Sequence, residues 1–253
     1  MSLDLQKASM WKRISAYIFD GILMITLAVA FGWLLSLILG YDGYNDQVNQ
    51  AYAKYEAEYG VVFDVTQTEY DAMTQEQKDQ YQLAYDALIA DEEAMLAYNI
   101  MLNMTMLIVT AGILLSVILL EFVVPMLLKN GMTLGKKIFS IGVVRTDCVR
   151  ITGVQLFVRT MLGKFTVETM IPIYMVLMFL WGTLSATAIL ILMLLLMVQL
   201  ILVLVSRNHS AIHDLLAGTV TVDYASQMIF RSTDDLIDYQ KRIAAEEAAQ
   251  KEY

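Results

Sequence analysis

Residues 14–39 read ISAYIFDGILMITLAVAFGWLLSLIL, and these 26 positions hold a single charged side chain, Asp20. An α-helix needs about 20 predominantly apolar residues to cross the hydrocarbon core of a bilayer, so the run predicts a membrane-spanning helix. It is longer than the roughly 7–15 residues of a signal-peptide apolar region, and no small-residue cleavage site follows it. We therefore expect a signal anchor that is retained in the protein.

The composition of the whole chain agrees with a membrane protein. Of the 253 residues, 58% are apolar and only 2 are Pro, whereas soluble domains are about half apolar. Three further apolar runs, at 100–128, 165–181 and 184–206, predict additional membrane-spanning helices. We predict an all-α integral membrane protein built as a four-transmembrane-helix bundle. The single cysteine, Cys148, excludes an internal disulfide.

Charge is distributed unevenly between the loops and orients the predicted helices. Segment 129–164 carries seven basic residues and one acidic residue, whereas 40–99 carries thirteen acidic residues and two basic ones. Basic loops stay on the cytoplasmic side of a membrane. We therefore expect an N-in/C-in topology, with the acidic loop outside the cell.

The 40–99 loop is too long for plain coil in a compact domain, and its pattern is helical. The stretch QVNQAYAKYEAEY (47–59) predicts one helix. Thr66 with Glu69, and Thr74 with Gln77, have the spacing of capping boxes that open further helices, the last of which could continue into the second span. We expect a helical extracytoplasmic hairpin. It is either a docking surface, a funnel that concentrates cations, or simply a solvated insertion.

The basic segment 129–164 is neither long nor apolar enough to cross a membrane. A short interfacial helix is predicted at 133–139, followed by a small cytoplasmic hairpin that pairs IGVVRTD (141–147) with RITGV (150–154). After the fourth span comes HDLLAGTV (213–220) and then a charged helical tail. The resulting division of the chain is 1–39, 40–99, 100–128, 129–164, 165–206 and 207–253.

Three motif regions together resemble the RDD family of small, mainly bacterial membrane proteins, which is named for one arginine and two aspartates. They are Arg13 with Asp20 in the first helix, GMTLGKKIFSIGVVRTD (131–147), and HDLLAGTV (213–220). On this resemblance the three name-giving residues are Arg13, Asp20 and Asp214. The chain has Cys148 where the family usually has Gly in the hairpin turn. The resemblance implies a multi-pass protein of the bacterial cytoplasmic (plasma) membrane, with transport of a ligand or ion as the usual proposal.

Several ionisable residues are predicted to lie in the inner half of the membrane. Arg13 and Asp20 are two helical turns apart, so they share a face and differ by about 10 Å in depth. An unpaired acid at the depth of Asp20 costs about 2.5–3.5 kcal/mol, and it therefore needs a partner or a proton. Glu121 reaches a similar depth on the second span, and other candidates lie near the inner surface. The candidate ligand or ion pathway is Arg13, Asp20, Glu121, Glu168, Asp214 and His213, with Lys164 and Arg207 as possible counter-charges.

Two interpretations of this cluster remain open. In the first, Asp20 and Glu121 exchange a proton for a cation, because a like-charge pair raises one pKa towards neutrality. In the second, Arg13, Asp20 and Asp214 form a structural ion-pair clamp that joins the first helix to the segment after the fourth. Transport would require a homo-oligomer, since four spans are few for a pathway. The alternative function is a non-transporting accessory or scaffold subunit that meets a membrane-protein partner through the outer hairpin.

Other site types are not expected. His209 and His213 have the i, i+4 spacing of metal ligands, but the glutamate of HExxH is replaced by Ser210, so we expect no metal. No nucleophile elbow, phosphate loop or haem motif is present. We predict no enzyme, no catalytic residue and no cofactor. The expected partners are the lipid bilayer and a small ion or ligand, and no nucleic acid.

Overall fold

The computed structural model describes residues 5–128, 130–180, 182, 185–206 and 210–251. Within these residues, four helices are long and apolar enough to cross a membrane: α1 Met10–Leu39, α5 Glu92–Leu128, α7 Gly153–Phe179 and α8 Ala186–Val205. The four predicted spans are thereby confirmed as helices. The expected ends of spans at 181 and 184 lie outside the described residues. Two compact units divide the chain, at Ala28–Ile113 and at Met1–Leu27 with Leu114–Tyr253.

The unit Ala28–Ile113 contains the three helices of the acidic loop. They are α2 Tyr41–Tyr59, α3 Gln67–Ala72 and α4 Gln75–Ala90. Both predicted capping boxes form, at the starts of α3 and α4. The loop is therefore helical, as its pattern predicted.

The last helix of this loop does not run on into the second span. α4 ends at Ala90, and the Asp91 side chain accepts hydrogen bonds from the backbone N–H groups of Glu93 and Ala94, each at 3.1 Å. Asp91 also accepts a 3.0 Å bond from the Tyr55 hydroxyl. A side chain that caps the next helix in this way separates two helices that would otherwise merge.

The other unit contains a two-stranded antiparallel sheet, which an all-α prediction lacks. β1 Ile141–Arg145 pairs with β2 Thr219–Asp223, in the register Val143 opposite Thr221. β2 follows the short helix α9 Ile212–Ala217. Residues near the N-terminus border its other edge, where Lys7 bridges to Val222. The alternating TVTV of β2 is the sequence signal of a strand, and in the structure both faces of this strand are buried.

The predicted hairpin within 141–154 is reduced to one bridge, between Val144 and Arg150. Cys148 adopts the left-handed backbone conformation, with φ 65°, and closes the turn. The Arg150 N–H then donates to the Phe230 carbonyl, and Thr152 caps α7 with a capping box. The chain thus leaves the sheet because a helix starts there. α7 consequently begins at Gly153, earlier than the predicted start of the third span at 165.

Two of the long helices contain π-helical segments, at Ile118–Val123 in α5 and Val158–Met170 in α7. The only two prolines of the sequence, Pro125 and Pro172, lie just after them. Proline has no N–H to donate to the carbonyl four residues earlier, so an α-helix cannot continue unchanged through it. π-Helical turns bond residues five apart instead and are frequent at functional sites.

The remaining elements complete this unit. The short helix predicted at 133–139 forms, as α6 Leu134–Ile138 with Thr133 as its N-cap. The tail contains α10 Thr233–Lys251. Leu236 of this helix packs with Cys148, Val149 and Phe230 in a small apolar cluster. The start of the tail is therefore attached to the turn after β1.

Candidate functional site

A cavity of about 460 Å³ lies in the unit that contains the sheet, and ionisable side chains dominate its polar lining. All six residues predicted from the sequence line it. Three further charged residues line the cavity that were not among the predicted site residues, namely Lys136, Arg159 and Lys164. Among the described residues, the acidic and basic residues of the lining are Arg13, Asp20, Glu121, Lys136, Arg159, Lys164, Glu168, His213 and Asp214.

Asp20 joins the first helix to the short helix α6. Its carboxylate accepts hydrogen bonds from the Thr133 hydroxyl and, at 2.7 Å, from the Gly135 backbone N–H. These groups lie at the N-terminus of α6, where unpaired N–H groups favour a negative charge. A Cβ atom at position 135 would lie only 2.5 Å from the Ala16 carbonyl oxygen, so Gly135 permits the close approach. The partners of Asp20 that the structure gives are thus helix-terminal donors.

Asp214 forms a fully buried ion pair with Arg159. The Arg159 Nε donates to Asp214 Oδ1 at 2.9 Å, and the two side chains are 2% and 1% exposed. The Thr219 hydroxyl donates to the same oxygen at 3.0 Å. Burial pushes the pKa of Asp214 upwards, but Arg159 and His213 outweigh burial and hold this pKa below its ordinary value. Asp214 therefore carries its charge in the folded protein, and α7 is fixed to α9.

Glu121 forms an ion pair with Lys164, through its Oε1 atom. The glutamate side chain is 2% exposed, and its Oε2 atom is buried without a hydrogen-bond partner among the described residues. A buried acceptor without a donor is destabilising by roughly 1–3 kcal/mol. Oε2 is therefore the acceptor in this site that still has capacity for a ligand.

Glu168 and His213 form the second contact between α7 and α9. The His213 Nδ1 lies 2.8 Å from Glu168 Oε2, and the His213 backbone N–H donates to Oε1 at 3.1 Å. Gln199 of α8 also donates to Oε1, at 3.2 Å. Burial lowers the pKa of His213, and this effect is larger than the opposing effect of Asp214. A Cβ atom at Gly163 would overlap His213, so the glycine allows the two helices to touch.

Lys136 has no ion pair in the part of the chain that the structure describes, whereas Arg159 and Lys164 each pair with a carboxylate. Burial, together with the nearby charges of Lys164 and Arg159, lowers the pKa of Lys136 to about 7. The negative charges of Glu121 and Asp20 oppose this shift but do not cancel it. Lys136 therefore gains and loses its proton near neutral pH.

Arg13 lies within electrostatic range of both Asp214 and Arg159. The ion pair of Asp214 itself is with Arg159. Likewise, Asp20 and Glu121 line one cavity, but each has partners of its own. The structure therefore brings the predicted residues together around one cavity, and the ion-pair partners that it gives for Asp214 and Glu121 are Arg159 and Lys164.

Arg159 was counted only among the basic residues of segment 129–164, and Lys164 was named only as a possible counter-charge, although the sequence carries a signal for both. They are five residues apart, and the π-helical turn that contains them bonds residues five apart. They therefore lie one above the other and face the two carboxylates. A second signal is the repeated spacing of a glutamate four residues before a proline, in EFVVP (121–125) and ETMIP (168–172).

The described residues contain no group of three His, Cys, Asp or Glu side chains that could hold a metal ion. His209 and the counter-charge candidate Arg207 lie outside the described residues. The polar lining of the cavity therefore combines carboxylates with basic side chains.

Comparison with known proteins gives one family. The family model described as RDD family matches residues 7–218, which is most of the chain. No curated protein and no solved structure matches the chain.

Proposed function

Since the chain belongs to the RDD family, we propose that it is a transporter that exchanges a small cation for a proton through the charged cavity. The observation that carries this proposal is the concentration of nine acidic and basic side chains around one cavity formed largely by apolar helices. Placing an ionisable side chain within a membrane helix is energetically unfavourable, and such residues commonly mark ion pathways and proton relays. A titratable Lys136 and the free acceptor of Glu121 supply the proton-binding and cation-binding groups that exchange requires.

We further infer a multi-pass location in the bacterial plasma membrane with both termini inside. The positive-inside rule supports this orientation, because segment 129–164 is basic and segment 40–99 is acidic. In this orientation the cavity lies on the cytoplasmic side of the protein. A homo-oligomer would supply the additional helices that a continuous pathway needs.

A second candidate function is a non-transporting accessory or scaffold subunit. It is favoured by the internal pairing of the cavity charges, above all the buried ion pair of Arg159 and Asp214. Such pairs can fix helices in register without moving any ion. The acidic helical hairpin would then be the contact surface for a membrane-protein partner.

Reconstitution in liposomes separates the two functions. The vesicles contain a pH-sensitive dye, and Na⁺, K⁺ and Li⁺ gradients are imposed in turn. We expect wild-type protein to move protons against at least one cation, and Glu121→Gln to abolish this exchange. Glu58→Gln, which neutralises an exposed carboxylate in α2, is the matched control and should exchange like wild type.

Absence of any cation-dependent proton movement by well-folded wild-type protein would refute transport. The scaffold function would then be tested by the thermal stability of the cavity variants. Oligomeric state in detergent provides an independent observation, because exchange through this small protein is expected from an oligomer.

A further inference from the structure

We propose that the ε-ammonium group of Lys136 and a monovalent cation compete for the Oε2 atom of Glu121, so that protonation of Lys136 releases the cation. This inference rests on the proposed exchange function and names the group that couples the two ions. It uses two features that the ion pairs of the cavity leave unexplained.

The first feature is the Oε2 atom of Glu121. It is buried and receives no hydrogen bond from any described residue, although its sister atom Oε1 is paired with Lys164. The other cavity carboxylates have several donors each: Asp20 has Thr133 and Gly135, while Glu168 has His213 and Gln199. A carboxylate oxygen in such a position attracts a hard cation or a protonated amine.

The second feature is Lys136, a basic side chain of the cavity that has no ion pair in the described part of the chain. It lines the same cavity as Glu121, and the charges of the two residues interact. An ammonium group has three donors on a flexible four-carbon stem, so it can reach a nearby acceptor and leave it again. Lys136 is half-buried in the short helix α6, and it borders the cavity.

The charges that face Lys136 come from every element packed around the cavity. α1 contributes Arg13 and Asp20, and α5 contributes Glu121. The remaining ones lie on α7 and α9: Arg159, Lys164, Glu168, His213 and Asp214. With Lys136 and His213 neutral, four carboxylates face three cationic side chains. One monovalent cation, or one proton on Lys136, restores neutrality.

The pKa of Lys136 is consistent with this role. Burial and the neighbouring charges bring it to about 7, so the amine is largely protonated below this pH and largely neutral above it. Protonation therefore occurs in the range in which a cytoplasmic pH change could act. If cation binding lowers the affinity of Lys136 for its proton, then by thermodynamic linkage protonation of Lys136 lowers the affinity of the site for the cation by the same factor.

Equilibrium binding of radioactive Na⁺ to the purified full-length protein in detergent tests the proposal directly, with Li⁺ and K⁺ as competitors. For wild type, we expect the apparent affinity to fall about tenfold for each pH unit below about 7 and to level off above it. Lys136→Met removes the competing ammonium, so binding should be tight and nearly independent of pH. Lys136→Arg carries a permanent charge and should abolish binding at every pH.

Lys137→Met is the matched control, because this neighbouring lysine is exposed and does not line the cavity. It should keep the pH dependence of wild type. Each variant is first checked for a single symmetric peak in size exclusion. If Lys136→Arg does not fold, the pH dependence of Na⁺ binding to Lys136→Met, compared with that of wild type, still tests the proposal.

Three results would overturn the inference: no cation binding to wild type, an unchanged pH slope in Lys136→Met, or normal binding by Lys136→Arg. The proposed exchange function fails separately, through the absence of flux in liposomes. If the protein exchanges ions but the pH dependence of cation binding is the same in Lys136→Met as in wild type, the exchange function stands and the coupling role of Lys136 is refuted. If cation binding depends on Lys136 but no flux occurs in liposomes, the competition at Glu121 stands and the exchange function is refuted.

Discussion

The Thr160 hydroxyl donates a 2.9 Å hydrogen bond to the backbone carbonyl of Glu121. This carbonyl lies four residues before Pro125, which has no N–H to offer it. A side chain of α7 thus supplies a donor where the backbone of α5 cannot. The same short stretch of α5 carries the buried glutamate of the cavity, so the local break in the helix and the site are parts of one arrangement.

Thr160→Val should lower the free energy of unfolding by about 1–3 kcal/mol, because it removes the hydroxyl donor at constant size. Chemical denaturation in detergent measures the loss. Thr166→Val is the control, since its exposed hydroxyl bonds only to a carbonyl of its own helix, and we expect a change within about 0.5 kcal/mol. In a Pro125→Ala background, which restores an N–H, the Thr160→Val loss should shrink. An equal loss in both backgrounds would contradict this explanation.

Asp20→Asn should also destabilise the protein, by about 1–3 kcal/mol. Both carboxylate oxygens accept hydrogen bonds from α6, and an amide would turn a donor towards one of these donors. Thermal unfolding measures the effect. Asp46→Asn changes an exposed aspartate of α2 in the same way and should leave the melting temperature unaltered. A melting temperature for Asp20→Asn equal to that of wild type would mean that α6 is held by other contacts.

Arg159→Met should lower the free energy of unfolding, measured by chemical denaturation, by about 3–5 kcal/mol. The substitution leaves the Asp214 carboxylate buried without its ion-pair partner. The double variant Arg159→Met with Asp214→Leu should recover much of this loss. Arg145→Met is the comparison, since its pair with Asp147 is partly exposed and should contribute less than about 1 kcal/mol. Additive losses in the double-mutant cycle would show that the two buried side chains do not depend on each other.

Gly163→Ala should lower stability by about 1–3 kcal/mol through overpacking. The added methyl group would lie about 2.5 Å from the His213 Cα, so α9 must move away from α7. Gly153→Ala in the same helix is the control, because its added methyl group meets no atom within 4 Å. Thermal unfolding followed by circular dichroism should therefore show a lower melting temperature for Gly163→Ala than for Gly153→Ala. Equal melting temperatures would indicate that the two helices separate at little cost.

The stability of the protein should fall as pH drops from about 7 to 5, in part because of His213. Burial lowers the pKa of His213 below its ordinary value of 6.5, so the unfolded chain binds a proton that the folded chain resists. The stability contribution is complete above pH 6.5 and is lost as pH falls through the folded-state pKa. Melting temperatures measured at intervals from pH 5 to 8 should show this decline. His213→Gln should have a flatter profile, and an unchanged slope would assign the decline to other groups.

Much of the architecture follows from signals that act over a few residues. Apolar runs long enough to span a bilayer located all four long helices, and the capping boxes of Thr66 and Thr74 located the starts of α3 and α4. Six of the cavity residues could also be predicted from the sequence. Depth in the membrane can be counted along a helix at 1.5 Å per residue, as from Arg13 to Asp20. Such counting finds residues at the same depth without finding their partners.

The partners depended on the tertiary structure. The π-helical turns of α5 and α7 rotate Glu121, Arg159 and Lys164 relative to an ideal α-helix, and the pairings follow from that rotation. β1 likewise takes its main partner from β2, which is distant in sequence, since local pairing ends where α7 begins. Which segments are helical and which side chains must avoid lipid could thus be predicted from the residues alone, because both depend on local hydrophobicity and capping. Which carboxylate meets which cation was decided only by the packing of segments far apart along the chain.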